Sequence, residues 1–252
     1  MNTHHTDLVL LHGWGMNSAV WAGLPQGLQQ RLTPHPIDLP GHAGTSFDAD
    51  HCQLVDWADR CLAQAPEQAL WLGWSLGGLV ALQAALLAPK RVRALILITT
   101  TPRFVQAVDW RAAMAEETLA QFQQGLLDDP AGTLDRFLAL QVRGSDAARA
   151  TLRKLRAELA QQPAPIPGAL TAGLDILRED DLRGPLPDID RPSLWLFGQR
   201  DTLIPAGVAE RIGLLMPNAQ IQIIAGAAHA PFLSHADVVA NEINAFLDRI
   251  AL

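Results

Sequence analysis

Residues 69 to 78 read ALWLGWSLGG, and the chain continues as LVALQAALLA to residue 88. The first six residues have the apolar run of a buried strand, and the stretch after Ser75 is apolar nearly all round, as a buried helix should be. A strand that turns directly into a helix around Gly-x-Ser-x-Gly matches the nucleophile elbow, a strained turn that lifts a hydroxyl above the sheet edge. Gly-rich turns also join strands to helices in many proteins, and Ser is a common helix cap. The apolar strand before Ser75 and the apolar helix after it favour catalysis. Gly73 and Gly77 leave room for the backbone to double back. Ser75 then sits at a helix N-terminus, where the dipole favours a developing oxyanion.

Working outward, short β-rich runs alternate with helical patterns. LVLLHG (8 to 13), HPID (35 to 38), ALWLGW (69 to 74), RVRALILITT (91 to 100), PSLWLFGQRD (192 to 201) and AQIQIIAG (219 to 226) read as strands. Helices are expected near 18 to 31 and 51 to 64, from Leu76, from about 205 and from about 235. This alternation predicts an α/β fold, a mostly parallel sheet with helices on both faces. From about 103 to 185 only helical periodicity is found, for instance at Trp110, Met114, Phe122 and Leu126 and later at Leu152, Leu155 and Leu159. The expected division is therefore a core of residues 1–102 and 187–252, with a helical lid over 103–186.

A serine hydroxyl needs a base, itself oriented by an acid, in the chain order Ser, acid, His. His229 directly follows IIAGAA, where a loop at a strand end belongs, whereas His235 suits the start of the last helix. Asp201 ends LWLFGQRD and projects from the carboxyl end of a strand, where open parallel sheets place their sites. Asp188 and Asp190 precede that strand and read as turn residues. Trp14 lies in a glycine-flanked loop just past the first strand. The amides of Trp14 and Leu76 are thus candidates for an oxyanion hole, each such donor typically worth about 3 kcal/mol of barrier. His12 is expected to orient this loop.

Composition limits the remaining classes. The 252 residues are 49% hydrophobic with a net charge of −7, which suits a globular domain and argues against nucleic acid as the main partner. Neither a signal peptide nor an apolar run of membrane-spanning length is apparent. Cys52 and Cys61, expected on one helix roughly 13 Å apart, are too distant for a bridge, and a reducing cytoplasm is the expected setting. No metal cluster or nucleotide loop is visible, so no cofactor is expected. Between Arg143 and Arg156 the sign of charge reverses, with Arg143, Arg149, Arg153, Lys154 and Arg156 against Asp146. Arg149, Arg153 and Arg156 recur at i, i+4 and i+7, one stripe of a helix whose Leu152, Leu155 and Leu159 face the protein.

Through LLHGWG, IDLPGHAGTS, GWSLGG, GQRD and AAHAPFLSH the chain resembles the α/β-hydrolase superfamily. Within it, LVLLHGWGMNSAVW, DRFLALQ and GLDILREDDLR are similar to the carboxylesterase family of biotin synthesis that acts on pimeloyl-[acyl-carrier protein] methyl ester. The resemblance implies release of methanol from that ester, with Ser75 attacking, His229 moving the proton and Asp201 orienting it. It also implies Trp14, Trp74 and Phe137 as substrate-binding residues, and a monomer. An acidic carrier protein would dock on Arg143, Arg149, Arg153 and Arg156. A broad short-chain carboxylesterase, a thioesterase and a non-enzymatic small-molecule receptor on the same fold are the alternatives. Only seven residues precede LVLLHG, so the N-terminal edge strands usual in the superfamily are expected to be shortened or missing.

Overall fold

The computed structural model describes residues 5–252. Strands β1 (Thr6–Leu11), β2 (Leu32–Ile37), β3 (Ala69–Trp74), β4 (Val92–Ile98), β5 (Ser193–Gly198) and β6 (Gln220–Ile224) form one sheet in the order β2-β1-β3-β4-β5-β6. Every pairing is parallel. Each strand must therefore be joined to the next by a crossover, and these are supplied by α1 (Gln26–Gln29), α2 (Leu54–Gln64), α3 (Leu76–Leu87), four helices between β4 and β5, and α8 (Val208–Leu215). After β6 the chain ends in α9 (Pro231–Ser234) and α10 (Ala236–Arg249). β3 and β5 are buried along their whole length, which is why their sequences carry no alternation.

Strand order reverses between β1 and β3, which are neighbours although β2 lies between them in the chain. The loops leaving their carboxyl ends, Gly13–Trp14 and Trp74–Ser75, therefore face each other across a crevice, the usual position of a ligand site in such sheets. Among the described residues the sheet begins at the β2 edge, with no antiparallel hairpin ahead of it. The Thr6 amide donates to the Arg31 carbonyl, so odd-numbered residues of β2 face β1 and Pro34 and Pro36 fall on the outer side. Two prolines there remove donors from an edge open to other strands.

The four inserted helices are α4 (Glu116–Asp128), α5 (Pro130–Val142), α6 (Ala148–Leu159) and α7 (Pro167–Glu179). Trp110 and Met114 do not belong to a helix; their spacing is helical, but they sit in an irregular segment held by bridges Val105–Met114 and Ala107–Trp110. Trp110 is instead pinned by its indole N–H to the Arg103 carbonyl and covered by the Arg183 guanidinium. The helix expected near 18 to 31 is two short pieces, a 3-10 turn at Ser18–Trp21 and α1, because Gly23 and Pro25 interrupt it. Cys52 precedes α2 rather than lying on it, and both cysteines are free. No described helix is long and apolar enough to cross a membrane.

The turn from β3 into α3 leaves no room for side chains at its glycines. A Cβ on Gly73 would lie 2.4 Å from the Gly77 carbonyl oxygen and 2.5 Å from Gly78 Cα, and one on Gly77 would lie 2.5 Å from the Leu11 and His12 carbonyls. The clashes are with backbone, which cannot swing aside. Gly73→Ala is therefore expected to cost about 3 kcal/mol, read as a Tm lowered by about 6 to 12 °C; an unchanged Tm would show that the turn relaxes freely.

Candidate active site

Ser75 joins β3 to α3 with φ 55° and ψ −120°, a conformation that non-glycine residues avoid. Two bonds to the neighbouring strand end hold it there. The Ser75 amide donates to the Ile98 carbonyl at 3.0 Å, and the Thr100 hydroxyl donates to the Ser75 carbonyl at 2.8 Å. Ser75 is 4% exposed, and its Cβ lies 3.3 Å from the point where a Cβ on Gly13 would stand. The glycine lets the β1 loop come within contact of the serine.

Asp201 and His229 meet across 28 residues of sequence. Asp201 Oδ2 lies 2.7 Å from His229 Nδ1, while Asp201 Oδ1 accepts from the amides of Leu203 and Ile204 at 2.8 and 3.0 Å. The carboxylate is fixed on both oxygens, and His229 must carry its proton on Nδ1 to donate to it. His229 Nε2 is thereby left as an acceptor, and it has no hydrogen-bond partner among the described residues. The His229 carbonyl accepts from Trp74 Nε1 at 2.8 Å and from the Thr99 hydroxyl at 2.7 Å. Because Trp74 directly precedes Ser75, its indole ties the histidine loop to the elbow. His229 is 1% and Asp201 6% exposed, so the pair is shielded from water.

The other candidates separate into two groups. Trp14 is fully buried, donates from its indole to the Leu170 carbonyl at 2.8 Å and packs edge-on against Phe137, with ring centroids 4.8 Å apart. Phe122 completes this cluster at 6.3 Å from Trp14 and 5.2 Å from Phe137; sequence periodicity marks Phe122 as a helix residue but gives no sign of this contact. Gly173 on α7 admits the Trp14 ring, with Leu76 beside it. Trp74 lies apart from these aromatics, packed edge-on against Phe232 and 6.0 Å from the His229 ring. His235 occupies the N-cap of α10 and bonds Ser234, so it takes no part beside Asp201. Asp188 and Asp190 are exposed.

The arginines expected on the insertion are all exposed. Leu155 of α6 is buried and Leu152 and Leu159 partly so, which turns Arg149, Arg153 and Arg156 outward. Arg156 is committed within the molecule, bonding both oxygens of Asp135 at 2.8 Å. A groove of about 680 Å³ opens between α4, α5 and α6, with Phe122, Leu140 and Leu152 in its wall and Arg136, Arg143 and Arg149 at its border. Arg136 lies outside the basic run of the sequence and reaches this group only because α5 and α6 are packed together. Among the described residues no group of His, Cys, Asp and Glu is placed to hold a metal ion.

Comparison with known proteins places the chain in a family. Residues 7–236 match the α/β-hydrolase fold family, and the chain belongs to it. Among its relatives is the pimeloyl-[acyl-carrier protein] methyl ester esterase of Xanthomonas oryzae pv. oryzae, 46% identical over 97% of this chain and 96% of the relative. The enzyme of the same name from Serratia marcescens is 45% identical over 96% of this chain and 93% of its own. Of solved structures, an esterase from Exiguobacterium antarcticum superposes with a TM-score of 0.84 at 19% identity, covering 96% of this chain and 91% of that one. The similarity to it is one of fold.

Two further buried histidines, His12 and His42, lie under the Gly13–Trp14 loop. His12 Nε2 accepts from the Leu39 amide at 3.0 Å, so its proton is on Nδ1, 2.8 Å from the Gly13 carbonyl. His42, 5.1 Å away ring to ring, bonds the Pro40 carbonyl through Nδ1 and has no partner at Nε2 among the described residues. Burial, with His42 as neighbour, holds the His12 imidazole well below its usual range, and burial lowers His42 as well. Both are neutral in the folded state and take up protons more readily when unfolded. Their contribution to stability is thus complete above the ordinary histidine pKa of about 6.5 and is lost as pH falls below it. Tm is expected to decline between pH 7.5 and 5.5, and less steeply in His42→Gln; identical slopes would contradict this assignment.

Proposed function

We propose that the chain is a serine carboxylesterase that hydrolyses the methyl ester of pimeloyl-[acyl-carrier protein] in the cytoplasm, as a step of biotin synthesis. The observation that carries the chemistry is the His229 imidazole, held by Asp201 at Nδ1 with Nε2 unpartnered among the described residues, on a loop that the Trp74 indole ties to the serine in a strained turn. Ser75 Oγ attacks the ester carbonyl as His229 Nε2 takes its proton. The carbonyl oxygen becomes negative and is met by the amides of Trp14 and Leu76, neither of which has a backbone acceptor among the described residues. His229 returns the proton to the methoxy group, methanol leaves, and water attacks the acyl-serine by the same route. The free carboxylate and Ser75 are the products. No cofactor enters any step.

The substrate follows from the relatives' name and from the shape of the insertion. Residues 103–186 act as a lid on a core of 1–102 and 187–252. Trp14, Phe122 and Phe137 form an apolar wall at the junction, suited to methylene groups of an acyl chain. Trp74, proposed for the same wall from the resemblance, also ties the histidine loop through its indole N–H. The acidic carrier docks on the arginines of α5 and α6, where Arg143, Arg149 and Arg153 remain available, Arg136 is exposed but donates to the Thr133 hydroxyl and lies 3.8 Å from Asp129, and Arg156 is held by Asp135. Such docking is screened by salt over about 10 Å.

Ser75→Ala is expected to lower turnover of both the carrier-bound ester and p-nitrophenyl butyrate by at least about 10³-fold with Tm retained. Comparable turnover by the folded variant would refute the nucleophile assignment. Replacing Arg136, Arg143 and Arg149 with Glu is expected to lower kcat/KM on the carrier-bound ester by about 10²-fold or more, and on p-nitrophenyl butyrate by less than about threefold. Equal losses on the two esters would argue against docking at the groove.

A further inference from the structure

Three loops from separate parts of the chain meet beside the acid–base pair. Arg200, next to Asp201, donates from its guanidinium to the Gly144 carbonyl at 2.9 Å and to the Asp146 carboxylate at 2.6 Å, both in the corner between α5 and α6. Its backbone amide donates to the Ala227 carbonyl at 2.8 Å, in the loop that leads to His229. Asp146 in turn fills the space beside Gly226, where an added Cβ would lie 2.6 Å from Asp146 Oδ2. At the end of α5 the Gln141 carbonyl accepts from the Ala230 amide at 3.1 Å. Gly144 takes φ 85°, which turns the corner toward Arg200 at little conformational cost.

The Arg200 and Asp146 side chains are 48% and 68% exposed, and an ion pair so placed adds little to global stability. Its effect is on geometry. It is a side-chain link from the insertion to the loop carrying the carboxylate that orients His229, one residue from that carboxylate. We propose that Arg200 is a positioning residue: by holding the α5–α6 corner against the Asp201 and His229 loops it keeps the imidazole aligned with Ser75. This rests on the Ser75–His229–Asp201 reading and extends it, since the insertion then takes part in alignment as well as covering the site. A misplacement of about 1 Å at the reacting groups is enough to slow chemistry by orders of magnitude, so a weak tether can matter to rate while mattering little to folding.

The test compares Arg200→Ala, Arg200→Lys, Asp146→Ala and the Arg200→Ala/Asp146→Ala double variant on p-nitrophenyl butyrate and on the carrier-bound methyl ester. Arg200→Ala is expected to lower kcat about tenfold on both esters, with KM changed by less than about twofold and Tm by less than about 3 °C. Arg200→Lys should recover most of the loss, because an ammonium can still reach the two acceptors. The double variant should be no slower than Arg200→Ala, since both changes remove one link. A higher KM on the carrier-bound ester with kcat intact would make Arg200 a docking charge and overturn the proposal. So would an unchanged kcat, losses that add in the double variant, or a lysine variant as slow as the alanine one. Failure of the underlying triad appears separately, as turnover surviving in Ser75→Ala, and would remove this proposal with it.

Discussion

Ser75 stands in a backbone conformation that costs of order 1–3 kcal/mol, and the surrounding structure is arranged to maintain it. Gly73, Gly77 and Gly78 are packed against backbone or the Thr100 side chain with no room for a Cβ, so β3, α3 and the ends of β1 and β4 close on the turn from all sides. Bonds from Ser75 to Ile98 and from Thr100 to Ser75 fix it to the adjacent strand. In the reaction proposed above the strain has a chemical use: a sharp turn raises the hydroxyl out of the sheet while pointing the following amide toward the same space, so that the proposed nucleophile and oxyanion donor stand together.

The histidine and the carboxylate are held at the same rim of the sheet by a different principle. Each lies on a loop at the carboxyl end of a parallel strand, so the sheet itself brings distant residues to one rim. What the loops lack in regular structure is supplied by single bonds from rigid elements: Trp74 and Thr99 to the His229 carbonyl, and the Leu203 and Ile204 amides to Asp201. The inserted helices then cover the Trp14 side of the crevice through Leu170, Gly173 and Phe137. In the proposed reaction such a cover would exclude water and strengthen the electrostatic interactions beneath it.

Much of this is legible in the sequence. The apolar run 69 to 74, the glycines around Ser75, and the strand endings before Asp201 and His229 are local signals, and β3 and the start of α3 fall at the expected residues. What escaped the sequence depends on packing between elements. Trp110 and Met114 have helical spacing, yet an irregular segment buries them against the core, where tertiary contacts override periodicity. Trp74 and Trp14 look alike as apolar residues beside glycines, but they face different partners, His229 in one case and Phe137 in the other. Likewise the stripe of Arg149, Arg153 and Arg156 is visible in one helix, whereas the capture of Arg156 by Asp135 and the recruitment of Arg136 require two.

The central claim is that one hydroxyl, at position 75, is made nucleophilic by the imidazole at 229. The most direct measurement is reaction of the native protein with a fluorophosphonate, followed by intact-mass analysis and peptide mapping. A single adduct on Ser75, whose rate of formation collapses in His229→Ala, is the predicted result. Labelling at another residue, or labelling of Ser75 at an undiminished rate without His229, would contradict the account.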